Sequence, residues 1–305
     1  MRRCASIAPL RSLAAGVLLG GLLTGLAIFG HGCSRSGGSR ISATATLFPV
    51  GDWVQRVGGP DLDVVVILPP GASPHGFEPP PDVARRVSKA SIHFLVGLGL
   101  DDWIEPFLES VGSGSASRVR LGERIDVASV SAIATSQDPH LWMDPSIARL
   151  MVLEIGVSLA AAFPGSGDTY TSRAEAYADT LRRFEAELRE ILAPCRGTPV
   201  VAEHGVWERF AERFGLEVAG TIEPYPGREP SAKRLDELTR LMKERRVPVI
   251  LVEAQASDRT ARVLALESGA QVLRLDPIGG SPGHESYMKT LRSSALAIAE
   301  AVRRP

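Results

Sequence analysis

Residues 168–192 read DTYTSRAEAYADTLRRFEAELREIL, a run with no glycine or proline. Tyr170, Ala174, Tyr177, Leu181, Phe184, Leu188 and Ile191 recur three or four positions apart, which predicts one long helix with a single apolar stripe. Pro194 stops it. On both sides of this helix the pattern changes to short apolar runs alternating with helical ones. Upstream, strands are expected at Ala43–Val50, Asp63–Leu68 and Ser91–Val96, with helices at Gly51–Val57, Asp82–Lys89 and Asp101–Ser110. Downstream, strands at Thr198–Ala202, Leu216–Gly220, Pro248–Glu253 and Ala270–Leu275 alternate with helices at Gly205–Phe214, Ser231–Arg245, Ser257–Glu267 and His284–Val302. Strand alternating with helix means parallel α/β. The expected fold is therefore two parallel-sheet α/β lobes, 43–164 and 196–305, joined by a rigid linking helix over 165–195.

Just before the long helix lies Asp138-Pro139-His140-Leu141-Trp142-Met143-Asp144-Pro145. Proline fixes its own φ and pushes the residue before it towards extended backbone, so this stretch is stiff. Asp144 reads as the N-cap, and Pro145 as the first residue, of a helix running to Phe163. His140 is thus an imidazole held at a helix entrance.

The N-terminus is expected to stand apart from the fold. Arg2, Arg3 and Arg11 precede an uncharged apolar run from Leu13 to Phe29, followed by Gly30-His31-Gly32-Cys33 and a Ser/Gly/Arg spacer. This is the layout of a secretory signal over 1–32, with 33–42 a spacer and Cys33 the residue lipidated in a bacterial lipoprotein. An uncleaved membrane anchor is the alternative, and Gly30 stands where such a signal usually has leucine. Both readings put the remainder outside the cytoplasmic membrane, in the periplasm or at the cell surface. Of three cysteines only Cys195 then remains in the body, which excludes an intrachain disulfide and a thiolate metal cluster there. A formal net charge of −1 gives no reason to expect nucleic acid as a partner.

Any metal site must therefore use His, Asp and Glu. His75 falls in the proline-rich loop Pro69–Pro81 after a strand, His140 in the Asp-Pro stretch, and His204 at a strand-to-helix turn. Asp276 follows the last strand and is stiffened by Pro277. Three imidazoles and a carboxylate at strand ends of two lobes make a four-coordinate site suited to Zn2+ and acceptable to Mn2+. Glu203 is a rival ligand beside His204. Glu78 and Glu253 are candidates to orient an imidazole, or else surface acids. His93 reads as a strand residue and His284 as a helix-start residue. The four tryptophans read as core or lobe-interface packing.

In order along the chain come Leu47-Phe48-Pro49 with Asp52-Trp53-Val54, Pro69-Pro70-Gly71 through Pro74-His75-Gly76-Phe77-Glu78-Pro79, Gly97-Leu98-Gly99-Leu100, Asp138–Pro145, His204-Gly205-Val206-Trp207 with Phe214-Gly215-Leu216, Glu253-Ala254-Gln255, and Leu275-Asp276-Pro277-Ile278-Gly279. In these motifs the chain resembles the zinc/manganese solute-binding proteins of ABC importers, whose lobes are joined by a rigid helix. The resemblance implies a monomeric binding protein that captures a divalent metal and delivers it to a membrane permease with its ATPase. It places the four ligands on His75, His140, His204 and Asp276, and the interlobe helix on residues 168–192. Histidine at the third position favours zinc over the manganese or iron that a carboxylate-rich site would suit. Many zinc members carry a His-rich loop before the second motif, and Asp126–Gln137 here contains no histidine. Two other function classes compete. A secreted zinc hydrolase would keep an open coordination position and a general base, and no H-E-x-x-H helix is present. A surface adhesin would hold its metal structurally. Because imidazole binds metal only when neutral, affinity is expected to fall on acidification.

Overall fold

The structure is a computed structural model that describes residues 41–131, 138–223 and 227–303. The expected signal, Cys33 and residues 132–137 of the histidine-free segment lie outside the described residues.

Strands β1 (Ile41–Ala45), β2 (Leu62–Val66), β3 (Ile92–Leu95) and β4 (Ser117–Arg120) form a first sheet in the order β2-β1-β3-β4. Strands β5 (Pro199–Ala202), β6 (Glu217–Thr221), β7 (Val249–Glu253) and β8 (Gln271–Leu275) form a second in the order β6-β5-β7-β8. Every pairing is parallel. The two orders match strand for strand, so each sheet reverses its winding between its first and third strands. In open parallel sheets the crevice outside the carboxyl ends at that reversal is where ligands bind.

The helices are α1 (Phe48–Gly58), α2 (Ala84–Val87), α3 (Ile104–Ser110), α4 (Leu121–Arg124), α5 (Pro145–Ala162), α6 (Gly167–Leu192), α7 (Glu208–Phe214), α8 (Ala232–Arg245), α9 (Arg259–Ser268) and α10 (Tyr287–Arg303). Helix α6 has 26 residues and so spans about 39 Å. Its expected stripe is buried from Tyr170 to Leu188, and Leu192 rather than Ile191 closes it. Asp144 caps α5 as its sequence predicts, accepting from the Ser146 amide, with Pro145 in the first turn. One apolar cluster runs from the first sheet to the second and takes in Trp53, Trp142, Phe184, Trp207 and Tyr287, each at most 1% exposed. Tyr287 is a junction within it. Its ring meets Trp53 edge-on with centroids 5.0 Å apart, and its hydroxyl donates to the Trp142 carbonyl at 2.8 Å. The sheets are therefore joined by buried, contacting side chains as well as by the chain itself.

Several expectations are corrected. The first strand ends at Ala45, because Pro49 opens α1 rather than closing a strand; proline suits a helix's first turn, where no amide partner is needed. Strand β4 was not expected: Ser117-Arg118-Val119-Arg120 is short and carries two charges, yet it pairs with β3. Its arginines reach Glu105 on α3, with Arg118 at 2.6 Å and Arg120 at 2.8 Å. The Asp82–Lys89 helix shrinks to a 3-10 turn at Pro81–Val83 and the four residues of α2. His284 lies in the turn before α10, where its carbonyl accepts from the Gly280 amide, rather than at the helix start. His93 is a buried strand residue, its Nδ1 bonded to the Thr44 hydroxyl at 2.7 Å.

Candidate metal centre

Three chain segments converge at the carboxyl edges of the two sheets. His75 comes from the loop after β2. That loop cannot form regular structure, so it is fastened from outside: the Trp103 indole donates to the Pro74 carbonyl at 2.9 Å, and Phe77 packs edge-on against the same indole. His140 sits on the strap before α5, and His204 leaves β5 in extended backbone and leads into the 3-10 turn Gly205–Trp207. The His140 Nε2 lies 3.4 Å from the His75 Nε2 and 3.3 Å from the His204 Nε2. All three nitrogens fall within 4.8 Å of one another.

The back of each inner ring is anchored. His140 Nδ1 faces Asp138 Oδ1 at 2.6 Å, and the same oxygen accepts the His140 amide at 3.0 Å. His204 Nδ1 pairs with the Glu253 carboxylate at the end of β7, the strand beside β5. A carboxylate accepts and does not donate, so each Nδ1 carries the hydrogen, and each Nε2 presents a lone pair to the centre. Held this way, the His140 and His204 rings both turn Nε2 towards the point where a shared cation would sit. His75 is drawn the same way: burial, then the neighbouring His140 and His204, pulls it down to about 4, against the opposing charge of Glu253. It is therefore neutral, in its ligating form, at physiological pH.

Asp138 is itself held. Burial would raise its pKa, but hydrogen bonding and charge from His140, with the Arg209 guanidinium, outweigh burial and keep it low. Arg209 Nε lies 2.9 Å from Asp138 Oδ2.

Asp276, expected as the fourth ligand, does not join the three imidazoles: no oxygen of it lies within 4.8 Å of all three nitrogens. Its Oδ1 accepts from the Ile278 and Gly279 amides, both at 2.9 Å, and from the Gln255 side chain at 3.0 Å, so it organises the turn after β8. Its Oδ2 has only the Ser281 hydroxyl, at 3.3 Å, among the described residues. Glu203 commits Oε2 to the Glu253 amide, at 2.9 Å. Burial, with Glu253 and Glu223 nearby, raises it to about 7 although that amide opposes the shift. Glu78 is exposed. A cleft of about 300 Å3 lined by His75, Glu203, His204, Glu223 and Glu253 opens onto the centre, giving it an acidic approach. Asp138 as a partner of His140, and Arg209 behind it, were not anticipated. The signal for Asp138 was present, since an aspartate two residues before a histidine can return to it through an Asx turn. Nothing near Arg209 in sequence points to Asp138.

Two matched parallel sheets, a long helix beside them and imidazoles meeting at both carboxyl edges define a metal-binding solute-binding protein of the ABC-importer type. Residues 44–301 match the family described as zinc-uptake complex component A, periplasmic, and the chain belongs to it. It is 27% identical over 270 residues to the iron-binding protein YfeA of Yersinia pestis, covering 86% of each chain. It is 23% identical over 291 residues to the zinc-binding lipoprotein AdcA of Streptococcus pneumoniae, covering 89% of this chain but 58% of that protein's length. A crystal structure of ZnuA superimposes with a TM-score of 0.74 at 26% identity, covering 85% of this chain and 98% of that one. Proteins of this family are extracytoplasmic transport components that serve an ABC permease and its ATPase; they are not enzymes.

Proposed function

We propose that this chain captures Zn2+ outside the cytoplasmic membrane, on His75, His140, His204 and Asp276, and hands it to its importer. The observation that carries this reading is the spacing of the His140 Nε2 from the nitrogens on either side of it. Two nitrogens about 2.05 Å from zinc at a tetrahedral angle lie about 3.3 Å apart. The imidazole nitrogens here stand 3.3 and 3.4 Å apart. A right-angled octahedral pair at the same bond length would stand closer, at about 2.9 Å. The donors are imidazoles, which suit zinc better than they suit manganese. Asp276 completes the shell through Oδ2, its less committed oxygen, by a small movement of the turn after β8. Asp138 and Glu253 hold the tautomers of His140 and His204, and Glu203 and Glu223 line the approach.

Relatives named for zinc and for iron leave manganese or iron as the second reading, and the glutamates along the cleft favour it. Cys33 anchors the chain as a lipid-modified residue, and the protein works as a monomer with lobes 43–164 and 196–305 about the helix 165–195.

The test is metal content and competitive affinity of the purified protein for zinc, manganese and iron(II), with His204→Glu beside it. One zinc per chain that manganese and iron cannot displace, and a shift towards manganese in His204→Glu, is the expected result. Equal or tighter binding of manganese or iron by the natural sequence would overturn zinc. Absence of a stoichiometric metal would overturn the ligand set. Membrane extraction of Cys33→Ala tests the anchor, which predicts release into the soluble fraction.

A further inference from the structure

Asp138 and Asp144 bracket His140, and each is met by an arginine of α7. Arg209 Nε lies 2.9 Å from Asp138 Oδ2, and its Nη2 donates to the Asp138 main-chain carbonyl at 2.6 Å. Arg213 donates from Nε to both Asp144 oxygens at 2.9 Å and from Nη2 to Oδ2 at 2.7 Å. These pairs are interior: side-chain exposure is 1% for Arg209, 11% for Asp138, 16% for Arg213 and 1% for Asp144. Arginines four apart lie on one face of a helix, about 5–6 Å from each other, and their planar forks suit paired contacts with a carboxylate.

We infer that Arg209 and Arg213 are a two-point clamp through which α7, the helix that follows His204, positions His140 for the metal. The inference rests on His140 being a ligand, as proposed above. Arg209 fixes Asp138, and Asp138 fixes both the amide and the Nδ1 of His140. Arg213 fixes Asp144 at the other end of the strap. Two further bonds tie the strap to the last part of the chain: the Trp142 indole donates to the Pro277 carbonyl at 2.8 Å, and the Tyr287 hydroxyl donates to the Trp142 carbonyl. His140 precedes the long helix in sequence, yet it is held by the same frame that carries His204. The 3.3 Å between their Nε2 atoms is thereby set before metal arrives. His75 is fastened separately, through Pro74 to Trp103.

A guanidinium this close to a cation site disfavours the cation unless its charge is taken up, and Asp138 takes it up. Arg209 is therefore a positioning residue whose loss has two readable effects. In metal-free protein, nitrogen-15 NMR of the histidine side chains is expected to show His140 in a single tautomer with hydrogen on Nδ1. Arg209→Met should give a mixture of tautomers and bind zinc, used alone as the probe, about 10–100-fold more weakly. Arg209→Lys, which returns a charge to Asp138 without both contacts, should recover part of each effect. If Arg209→Met does not fold, Arg209→Lys carries the test with both readouts reduced. An unchanged His140 tautomer in a folded variant overturns the clamp. A mixed tautomer with undiminished zinc affinity sustains the clamp and instead removes His140 from the ligand set.

Discussion

Replacing Asp144 with asparagine and, separately, with alanine should divide its two roles. Its Oδ1 caps α5 through the Ser146 amide at 2.8 Å, and the carboxylate pairs with Arg213 at 2.7–2.9 Å. Asparagine is as good an N-cap as aspartate, so Asp144→Asn keeps the cap and removes the charge. Arg213 then keeps a hydrogen bond to the amide oxygen but loses its ion-pair partner, a loss of about 2 kcal/mol. Alanine removes both. Loss of the cap costs about 1 kcal/mol, and breaking a buried ion pair from one side costs about 3–5 kcal/mol. Arg213 keeps the Val130 carbonyl as an acceptor and has Glu185 at 3.8 Å, which favours the lower end of that range. The expected totals are about 2 kcal/mol for asparagine and about 4 kcal/mol for alanine, the latter a large share of the roughly 5–15 kcal/mol that holds a domain together. Urea unfolding followed by far-UV circular dichroism measures both, provided the slope is unchanged between variants. Equal losses in the two variants would refute the division of roles. A loss below about 1 kcal/mol in Asp144→Ala would refute the buried pair as a structural element.

Three other outcomes are expected. His93 is buried neutral, its value lowered to about 4 by burial first and by the Arg118 charge second, against Glu105. The unfolded chain, titrating near 6.5, therefore binds more protons between those values, and stability should fall as pH drops from about 6.5 to about 4. Urea midpoints should decline less over that range in His93→Gln, and parallel curves would rule His93 out as a source. Trp103→Phe keeps a ring against Phe77 but loses the bond to the Pro74 carbonyl, worth about 1 kcal/mol, so zinc affinity should weaken about fivefold in chelator competition; undiminished affinity would free the His75 loop from Trp103. Gly279 has φ +87, and a Cβ there would lie 2.5 Å from the Thr290 hydroxyl, so Gly279→Ala should lower Tm and weaken metal binding together through the Asp276 turn, whereas a native Tm would show that the turn can absorb a side chain.

Legibility followed the range of the forces involved. The long helix and most of the strands could be read because their signals are local: a 3.6-residue stripe from Tyr170 to Ile191, and the Val/Ile runs of β2, β5 and β7. The Asp144 cap was legible for the same reason, since a capping side chain bonds an amide two residues away. Strand β4 was missed because its pairing with β3 and the ion pairs of Arg118 and Arg120 to Glu105 support it from outside its own sequence. Sequence left Glu78 and Glu253 each as an orienting partner or a surface acid, because direction is not a local property; Glu78 is exposed and Glu253 pairs with His204.

By itself, the sequence determined the alternation of elements, the stiffness around His140, and the exclusion of an intrachain disulfide or thiolate metal cluster from the folded body. It also named His75, His140, His204 and Asp276 as ligand candidates, because proline neighbours and strand-end positions are properties of adjacent residues. Only the tertiary structure decided that three Nε2 atoms face one another at 3.3 and 3.4 Å while the Asp276 carboxylate stays with its own turn. It alone paired Glu253 with His204, through the adjacency of β5 and β7, and Arg209 with Asp138 across 71 positions of chain. Tautomer, charge and metal geometry depend on contacts of about 3 Å between distant segments, and such contacts exist only once the chain has folded.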